Sequence, residues 1–183
     1  MFRFYRRCES KFKFSFSKQV AFGGLDGSVG IFDTSSQQVT VKGKMHNQIV
    51  RSVCLVNDKI FSASDDGTVV VSDPKKLNDV KDQGAEVARL MSFSGHKNPL
   101  TGEAGAVYGL AVDGSDDSLV MSCGGDGKSL IWDWENRKIL QEFHNHKDGA
   151  WAAASMSVND EPVFLSGGWQ QKYKYKMVQF FSF

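Results

Sequence analysis

The pattern of apolar and polar residues repeats three times without gaps, in residues 23–33, 62–73 and 122–133. Each segment (GGLDGSVGIFD, SASDDGTVVVSD and SCGGDGKSLIWD) has small residues, then Asp-Gly, then an alternating or apolar run that ends at Asp. Asp-Gly supplies the positive φ that a tight hairpin turn needs, and the residues around it are typical of strands. Each segment therefore predicts a β-hairpin.

The spacing of the hairpins indicates a repeating unit of about forty residues. Asp26 and Asp66 are 40 residues apart, whereas Asp66 and Asp126 are 60 apart. Insertions on both sides of His96 account for the longer interval. A histidine follows each hairpin, at His46, His96 and His146.

A fourth unit begins after His146, but its pattern decays. Residues 163–168 (VFLSGG) resemble the earlier approach to the turn, and residues 172–176 alternate Lys and Tyr as a strand does. Gln170 stands where the other units have the Asp of Asp-Gly. We expect residues 177–183 to form an atypical tail.

The third unit resembles a WD repeat. Gly95-His96, Ser122, Asp126 and Trp132-Asp133 occur in that family's order. The resemblance implies four antiparallel strands per blade and blades arranged around a channel. We therefore predict an all-β WD-repeat β-propeller with about four blades, an incomplete arc of a larger, seven-blade propeller from a longer protein.

The predicted organisation has three parts. Residues 1–18 form a basic, Phe-rich segment that could supply a blade strand; here residues 11–17 alternate as a half-buried strand does. The WD-repeat region is residues 19–169, with residues 76–91 expected to be a short helix or a loop. The predicted blades are about 19–44, 45–80, 92–141 and 142–176, and the tail is 177–183.

The family resemblance also implies a hydrogen-bond network that ties each histidine loop to the next hairpin. Asp126 accepts from the His96 imidazole, whose other nitrogen can donate towards Ser122, and Trp132 gives its indole N–H to an oxygen. Such a network satisfies several half-buried polar groups at once. The matching residues of the second blade are His46, Ser62 and Asp66, with Ser72 at the Trp position. The first blade keeps Asp26, and the fourth keeps His146 and Ser166.

Large side chains recur at one position of the innermost strand, in Arg51, Tyr108 and Trp151. Since the chain enters this strand from the histidine loop, we expect them at the rim of the blades. The residues before the turn position are expected on the same rim: Leu25, Asp65, Gly125 and Trp169. Aromatic residues and Arg dominate binding hot spots, so this rim is the predicted docking face for protein partners. The alternative is that Tyr108 and Trp151 simply pack between blades.

Composition narrows the function classes. With 22 Lys+Arg against 21 Asp+Glu, the formal charge of +1 recruits neither nucleic acid nor an acidic membrane through a strong overall field. No apolar run approaches the roughly 18 residues of a membrane span. Cys8, Cys54 and Cys123 share no metal or disulfide spacing, so a reducing compartment, cytoplasm or nucleus, is expected.

The polar residues indicate no catalysis. Ser, His and Asp recur together once per blade, whereas one active site would not repeat with the fold. His144 and His146 have no third metal ligand nearby in the sequence. We expect no catalytic, metal, cofactor or small-molecule site, and we predict a non-catalytic scaffold for protein partners in a multiprotein complex. The alternative is an RNA-associated subunit, similar to the WD-repeat subunit of the Ski RNA-decay complex or linked to transcription, that uses its basic ends.

Overall fold

Three Asp-Gly turns join the second and third strands of three successive sheets in the computed structural model. Gly27, Gly67 and Gly127 have φ of 82°, 82° and 76°. A Cβ at Gly27 or Gly127 would also collide with the carbonyl oxygen of the following loop histidine. Glycine is therefore required there both for its positive φ and for the close approach of the loop.

The structure describes residues 3–5, 18–77, 88–113, 119–144, 146–159, 161–168 and 176–179. The first sheet comprises β1 (Arg3–Tyr5), β2 (Gln19–Gly23), β3 (Ser28–Asp33) and β4 (Gln38–Lys44). The second comprises β5 (Val50–Val56), β6 (Lys59–Ser64), β7 (Thr68–Ser72) and β8 (Arg89–Ser94). The third comprises β9 (Val107–Val112), β10 (Leu119–Gly124), β11 (Lys128–Asp133) and β12 (Lys138–His144). The fourth comprises β13 (Ala150–Val158), β14 (Glu161–Gly168) and β15 (Lys176–Gln179).

All paired strands are antiparallel, and the sheets pack on one another in chain order. The first strands of the second, third and fourth sheets make most of the contacts with the preceding sheet: β5 with β2, β9 with β5 and β6, and β13 with β9 and β10. Among the described residues no comparable packing joins the fourth sheet to the first. The predicted all-β fold, an open arc of about four blades, is confirmed.

The hydrophobic core lies between the sheets in three clusters, one for each pair of neighbouring sheets. Strand β7 shows how the sequence specifies this arrangement. Val69 and Val71 face the third sheet, whereas Val70 faces the first. Because both faces of the second sheet are covered, its strands are continuous apolar runs instead of alternating ones.

One short helix, α1 (Pro74–Leu77), follows β7. Asp73 accepts a hydrogen bond from the backbone N–H of Lys75 at 2.9 Å, and Pro74 occupies the first helical position, where a missing N–H costs nothing. Leu77 is buried in the cluster between the first and second sheets. It includes the first two residues of the segment 76–91 that is predicted as a helix or a loop, of which residues 78–87 lie outside the described residues.

The sheets do not end where the sequence units were expected to end. Residues 89–94 were divided between the loop and the third unit, but β8 pairs with β7 and completes the second sheet. Strand β12 runs across the expected boundary at 141/142. Residues 176–179 pair with β14, so part of the expected tail is a strand of the fourth sheet. Backbone pairing at an open sheet edge requires only an extended chain, which is why the sequence pattern was weak there.

The first sheet replaces the buried serine of the others by Phe22. Phe22 pairs with Gly30, whereas Ser62 pairs with Val70 and Ser122 with Leu130. A Cβ at Gly30 would collide with the Phe22 ring and with the carbonyl oxygen of Val41. The large and small residues have therefore exchanged places across the two strands.

This exchange predicts that Gly30→Ala destabilises the protein by about 1–3 kcal/mol, because the added methyl overpacks the first sheet. Gly167→Ala is the matched control, since the nearest atom to its added Cβ is that of Ala152 at an ordinary 3.8 Å. Chemical denaturation of both variants measures the difference. Equal midpoints would contradict the packing described for Phe22.

Candidate protein-docking site

The third blade holds a buried chain of four polar side chains. His96 Nδ1 lies 2.9 Å from Asp126 Oδ1, and its Nε2 lies 2.8 Å from Ser122 Oγ. Trp132 donates its indole N–H to the same Ser122 oxygen at 2.8 Å. The structure thus brings together the four residues that the sequence grouped.

The direction of these hydrogen bonds follows from the acceptor at one end. Ionised Asp126 only accepts, so Nδ1 of a neutral His96 carries the proton and Nε2 accepts from the Ser122 hydroxyl. The Ser122 oxygen then accepts from Trp132. This reverses the predicted direction of the bond between His96 and Ser122.

In the second blade, the network gains a member that sequence reasoning missed. His46 Nε2 lies 2.8 Å from Ser62 Oγ, and its Nδ1 lies 3.1 Å from Asp66 Oδ2 and 3.0 Å from Thr68 Oγ1. Thr68 also donates to Asp66 at 2.6 Å. The signal available in the sequence was a hydroxyl side chain directly after Asp-Gly. Ser72, at the Trp position, instead donates to the carbonyl of Ile60 at 3.4 Å.

Backbone groups complete a link between successive blades. The N–H of His46 donates to the carbonyl of Gly27 in the first blade at 3.0 Å, while its side chain binds the second blade. His146 likewise donates to Gly127 at 3.2 Å and contacts Ser166 of the fourth blade at 3.0 Å. Each of these two histidines therefore joins the turn of one blade to the strands of the next.

The turn carboxylates are held ionised. Burial by itself raises the pKa of Asp126, but the hydrogen bond from His96, with the backbone N–H groups of Lys128 and Lys97, lowers it further than burial raises it. The pKa of Asp66 is lowered in the same way, since His46 and its other donors outweigh the burial. In the first blade, which has no preceding histidine in the sequence, the hydroxyl of Ser28 is the main cause that lowers the pKa of Asp26 to about 2.

The Ser-His-Asp grouping is not arranged for catalysis. Ser122 and Ser62 are both 0% exposed, so a substrate cannot reach either hydroxyl. The Ser122 oxygen already accepts the indole N–H of Trp132. The group therefore acts as a structural connection.

No metal-ligand cluster or membrane-length helix occurs in the part of the chain that the structure describes. His144 is exposed and lies 3.0 Å from Glu142, whereas His146 is buried. Cys54 and Cys123 are buried free thiols, and burial raises the pKa of Cys123 to about 12. Cys8 lies outside the described residues.

Three of the predicted rim residues form a continuous ladder across three blades. Tyr108 and Trp151 stack with ring centroids 4.3 Å apart and planes within 5° of parallel. The Arg51 guanidinium lies 5.9 Å from the centroid of the Tyr108 ring. A stack of this kind contributes beyond its buried area and orders the rings in advance.

Within its own blade, Arg51 is held by Asp65. Its Nε donates to Asp65 Oδ1 at 2.7 Å and its Nη2 to Oδ2 at 2.5 Å. The hydrogen bond to Asp65 raises the pKa of Arg51. At the equivalent position of the third blade, a Cβ on Gly125 would lie only 3.1 Å from the Tyr108 ring, so glycine leaves space for this ring.

Exposure distinguishes the members of the ladder. Trp151 is 51% exposed, whereas Tyr108 is half-buried beneath it. Leu25 is also exposed, at 60%, in the first blade. The stack therefore both packs two blades together, through Tyr108, and presents an aromatic side chain at the surface, Trp151. Trp169 and Gln170 lie outside the described residues, as do most of the basic ends 1–18 and 170–183.

The chain is similar to known proteins in sequence and in fold. A family model described as WD domain, G-beta repeat matches residues 88–133. The chain is 41% identical over 54 residues to transducin-like enhancer protein 2 of Mus musculus, which covers 30% of this chain and 7% of that protein. In fold it is similar to a chain in a crystal structure of the mitotic checkpoint complex, with a TM-score of 0.68 and 22% identity. That likeness covers 82% of this chain and 41% of the other.

The chain therefore aligns with less than half the length of either protein. The structural likeness, at 22% identity, concerns the fold alone. Neither match supports the predicted resemblance to the Ski-complex subunit.

The network predicts that Asp126→Ala destabilises the protein by about 1–3 kcal/mol, because buried donors on His96 and the backbone lose their acceptor. Gln170→Ala is the control variant, since the fourth blade has no carboxylate at this place in the sequence. We expect Gln170→Ala to change the free energy of unfolding only slightly. Urea unfolding gives both values. Equal losses of stability would refute the role assigned to Asp126.

The lowered pKa values of Asp66 and Asp126 predict a loss of stability in acid. The unfolded carboxylates take up protons near pH 4, whereas the folded ones stay ionised to lower pH. The resulting stability is present above about pH 4 and is lost as the pH falls through the folded pKa values. Between about pH 5 and about pH 2, Asp126→Asn is expected to lose less stability than the unchanged protein. Parallel curves of unfolding free energy against pH would rule out this contribution.

Proposed function

We propose that this chain, whose residues 88–133 match the WD-repeat family model and whose described residues fold as β-propeller blades, is a non-catalytic scaffold that docks protein partners on the rim ladder Arg51–Tyr108–Trp151. WD-repeat proteins generally act as protein-interaction scaffolds. In this proposal the chain contributes one docking face to a multiprotein complex.

The observation that supports the proposal most is the state of Trp151. A tryptophan that is 51% exposed leaves a large apolar surface in water, and its ring is already ordered by stacking on Tyr108. Covering it with a partner removes that surface from water at little cost in side-chain entropy. Trp, Tyr and Arg are also the residues enriched at binding hot spots.

The surroundings of Trp151 favour a protein partner over a small molecule. The ladder crosses three successive blades, from Arg51 on β5 through Tyr108 on β9 to Trp151 on β13. Trp151 is 51% exposed, whereas a small-molecule site encloses most of its ligand in a concave cavity. Asp65 neutralises much of the Arg51 charge, so the surface presents apolar and aromatic area with one satisfied ion pair.

We expect Trp151→Ala to weaken partner binding at least tenfold, because hot-spot tryptophans contribute about 2 kcal/mol or more. Arg51→Ala and Tyr108→Ala are expected to weaken it as well, the latter by removing the support of the Trp151 ring. The test uses the full chain as bait and compares the partners that each variant retains by quantitative mass spectrometry.

Val39→Ala is the matched control, because Val39 is 53% exposed but lies on the outer strand β4. Thermal unfolding of every variant verifies that the fold persists. Partner binding that survives all three rim substitutions in folded protein would show that the rim is the wrong face. Captured RNA whose affinity falls steeply with salt would instead favour the basic ends.

A further inference from the structure

A second surface lies on the outer side of the second and third blades, away from the inner strands that carry the rim ladder. It is a cleft of about 580 Å³ between β8, the last strand of the second sheet, and the β11–β12 turn of the third. Its lining combines apolar and cationic side chains, among them Arg89, Met91, Phe93, Trp132, Arg137 and Ile139. The proposed scaffold function does not use any of them.

The floor of this cleft is rigid and apolar. Phe93 and Trp132 stack with ring centroids 4.9 Å apart and planes 17° from parallel. Trp132 is fixed in turn by its hydrogen bond to Ser122. Ile139, on the wall, is 40% exposed. Because Phe93 and Trp132 are only 9% and 4% exposed, a bulky apolar side chain of a partner would contact mainly Ile139 above this buried pair, with little to reorganise.

The charged side chains among the described residues of the cleft are basic. Among the described residues, Arg89, Arg137 and Lys138 line it without a carboxylate, and the Arg89 guanidinium also donates to the carbonyl of Met45 at 2.7 Å. Asp133, in the neighbouring turn, is close enough to Lys138 that this lysine contributes to lowering the pKa of Asp133, after the hydrogen bonds from Asn136. That proximity offsets part of the Lys138 charge. The cleft as a whole remains complementary to an acidic partner.

The shape of the lining indicates an extended partner. Six consecutive residues of β8, from Arg89 to Ser94, border the cleft. Alternate residues of a strand point to opposite faces, so contact with all six means that the cleft follows the edge of the strand. Among the described strands, β8 ends its sheet, and such an edge is where an extended peptide adds by main-chain hydrogen bonds.

We propose that this outer cleft binds an extended acidic peptide segment of a partner protein, with carboxylates facing Arg137 and Lys138 and bulky apolar side chains on the Phe93–Trp132 floor. The site is separate from the rim ladder, so the chain would hold two partner segments at once.

The first blade supplies a matched control, because its equivalent turn has the same backbone without the charge. Gln37 and Arg137 have φ of 56° and 57°, and both turns follow a strand that ends in Asp. Gln37 and Gln38 stand where the third blade has Arg137 and Lys138. The double variants Arg137→Glu/Lys138→Glu and Gln37→Glu/Gln38→Glu therefore introduce the same two side chains at matched positions of the two turns.

The test measures fluorescence anisotropy of a labelled peptide in which Asp alternates with Leu, using the full chain at about 50 mM salt, where screening is weak. We expect Arg137→Glu/Lys138→Glu to reduce the affinity at least about tenfold, and Gln37→Glu/Gln38→Glu to leave it within about twofold. Ile139→Ser is expected to weaken binding, while Trp151→Ala leaves it unchanged. A peptide with Lys in place of Asp, and one with Ser in place of Leu, are expected not to bind.

Several results would overturn the proposal. The first is equal affinity for the Asp and Lys peptides. The second is an equal loss of peptide affinity in Arg137→Glu/Lys138→Glu and Gln37→Glu/Gln38→Glu. The third is binding of single-stranded RNA to the unchanged protein that is lost in Arg137→Glu/Lys138→Glu. Loss of peptide binding in Trp151→Ala would place the peptide on the rim instead. A failure of the rim variants to affect other partners would concern the scaffold proposal alone, since the two sets of residues do not overlap.

Discussion

The rest of this structure depends on a buried imidazole that joins two neighbouring blades. A blade is a small antiparallel sheet, and alone it cannot bury both of its faces. His46 shows how the neighbours are fixed, since its backbone N–H binds the turn of the first blade and its ring binds Ser62 and Asp66 of the second. Once the ring is buried, every polar atom around it needs a partner, and this requirement fixes the loop in one position.

The same links position both surfaces that could meet partners. In the second, third and fourth blades the inner strand follows the histidine loop, so fixing the loop helps to fix Arg51, Tyr108 and Trp151 at a common rim. On the outer side, Trp132 donates to Ser122 and at the same time forms the floor of the basic cleft with Phe93. One internal network thus supports two exposed surfaces, although none of its serines or histidines is itself accessible.

How far the sequence predicts this protein depends on the range of each signal. Asp-Gly turns and apolar runs are local, so the hairpins around Asp26, Asp66 and Asp126 could be located directly. Strand β8 follows an insertion and its pattern is weak, so its start within the expected loop could not be predicted. The repeat period placed Tyr108 and Trp151 at equivalent positions. Their stacking depends on the distance between the two blades, which cannot be read from the spacing of residues along the chain. The exchange of Phe22 and Gly30 was equally hidden, because each residue is unremarkable until their strands are paired.

The most direct test of the link between blades is the coupling free energy between His96 and Asp126, measured by urea unfolding of His96→Ala, Asp126→Ala and the double variant. The two residues belong to different segments of the chain and meet through the bond of 2.9 Å, so the network predicts that the single losses are not additive. We expect a coupling of about 1–3 kcal/mol, because the first substitution already removes the interaction that the second would break. Losses that add to within about 0.5 kcal/mol would contradict the account, since the two side chains would then stabilise the protein independently.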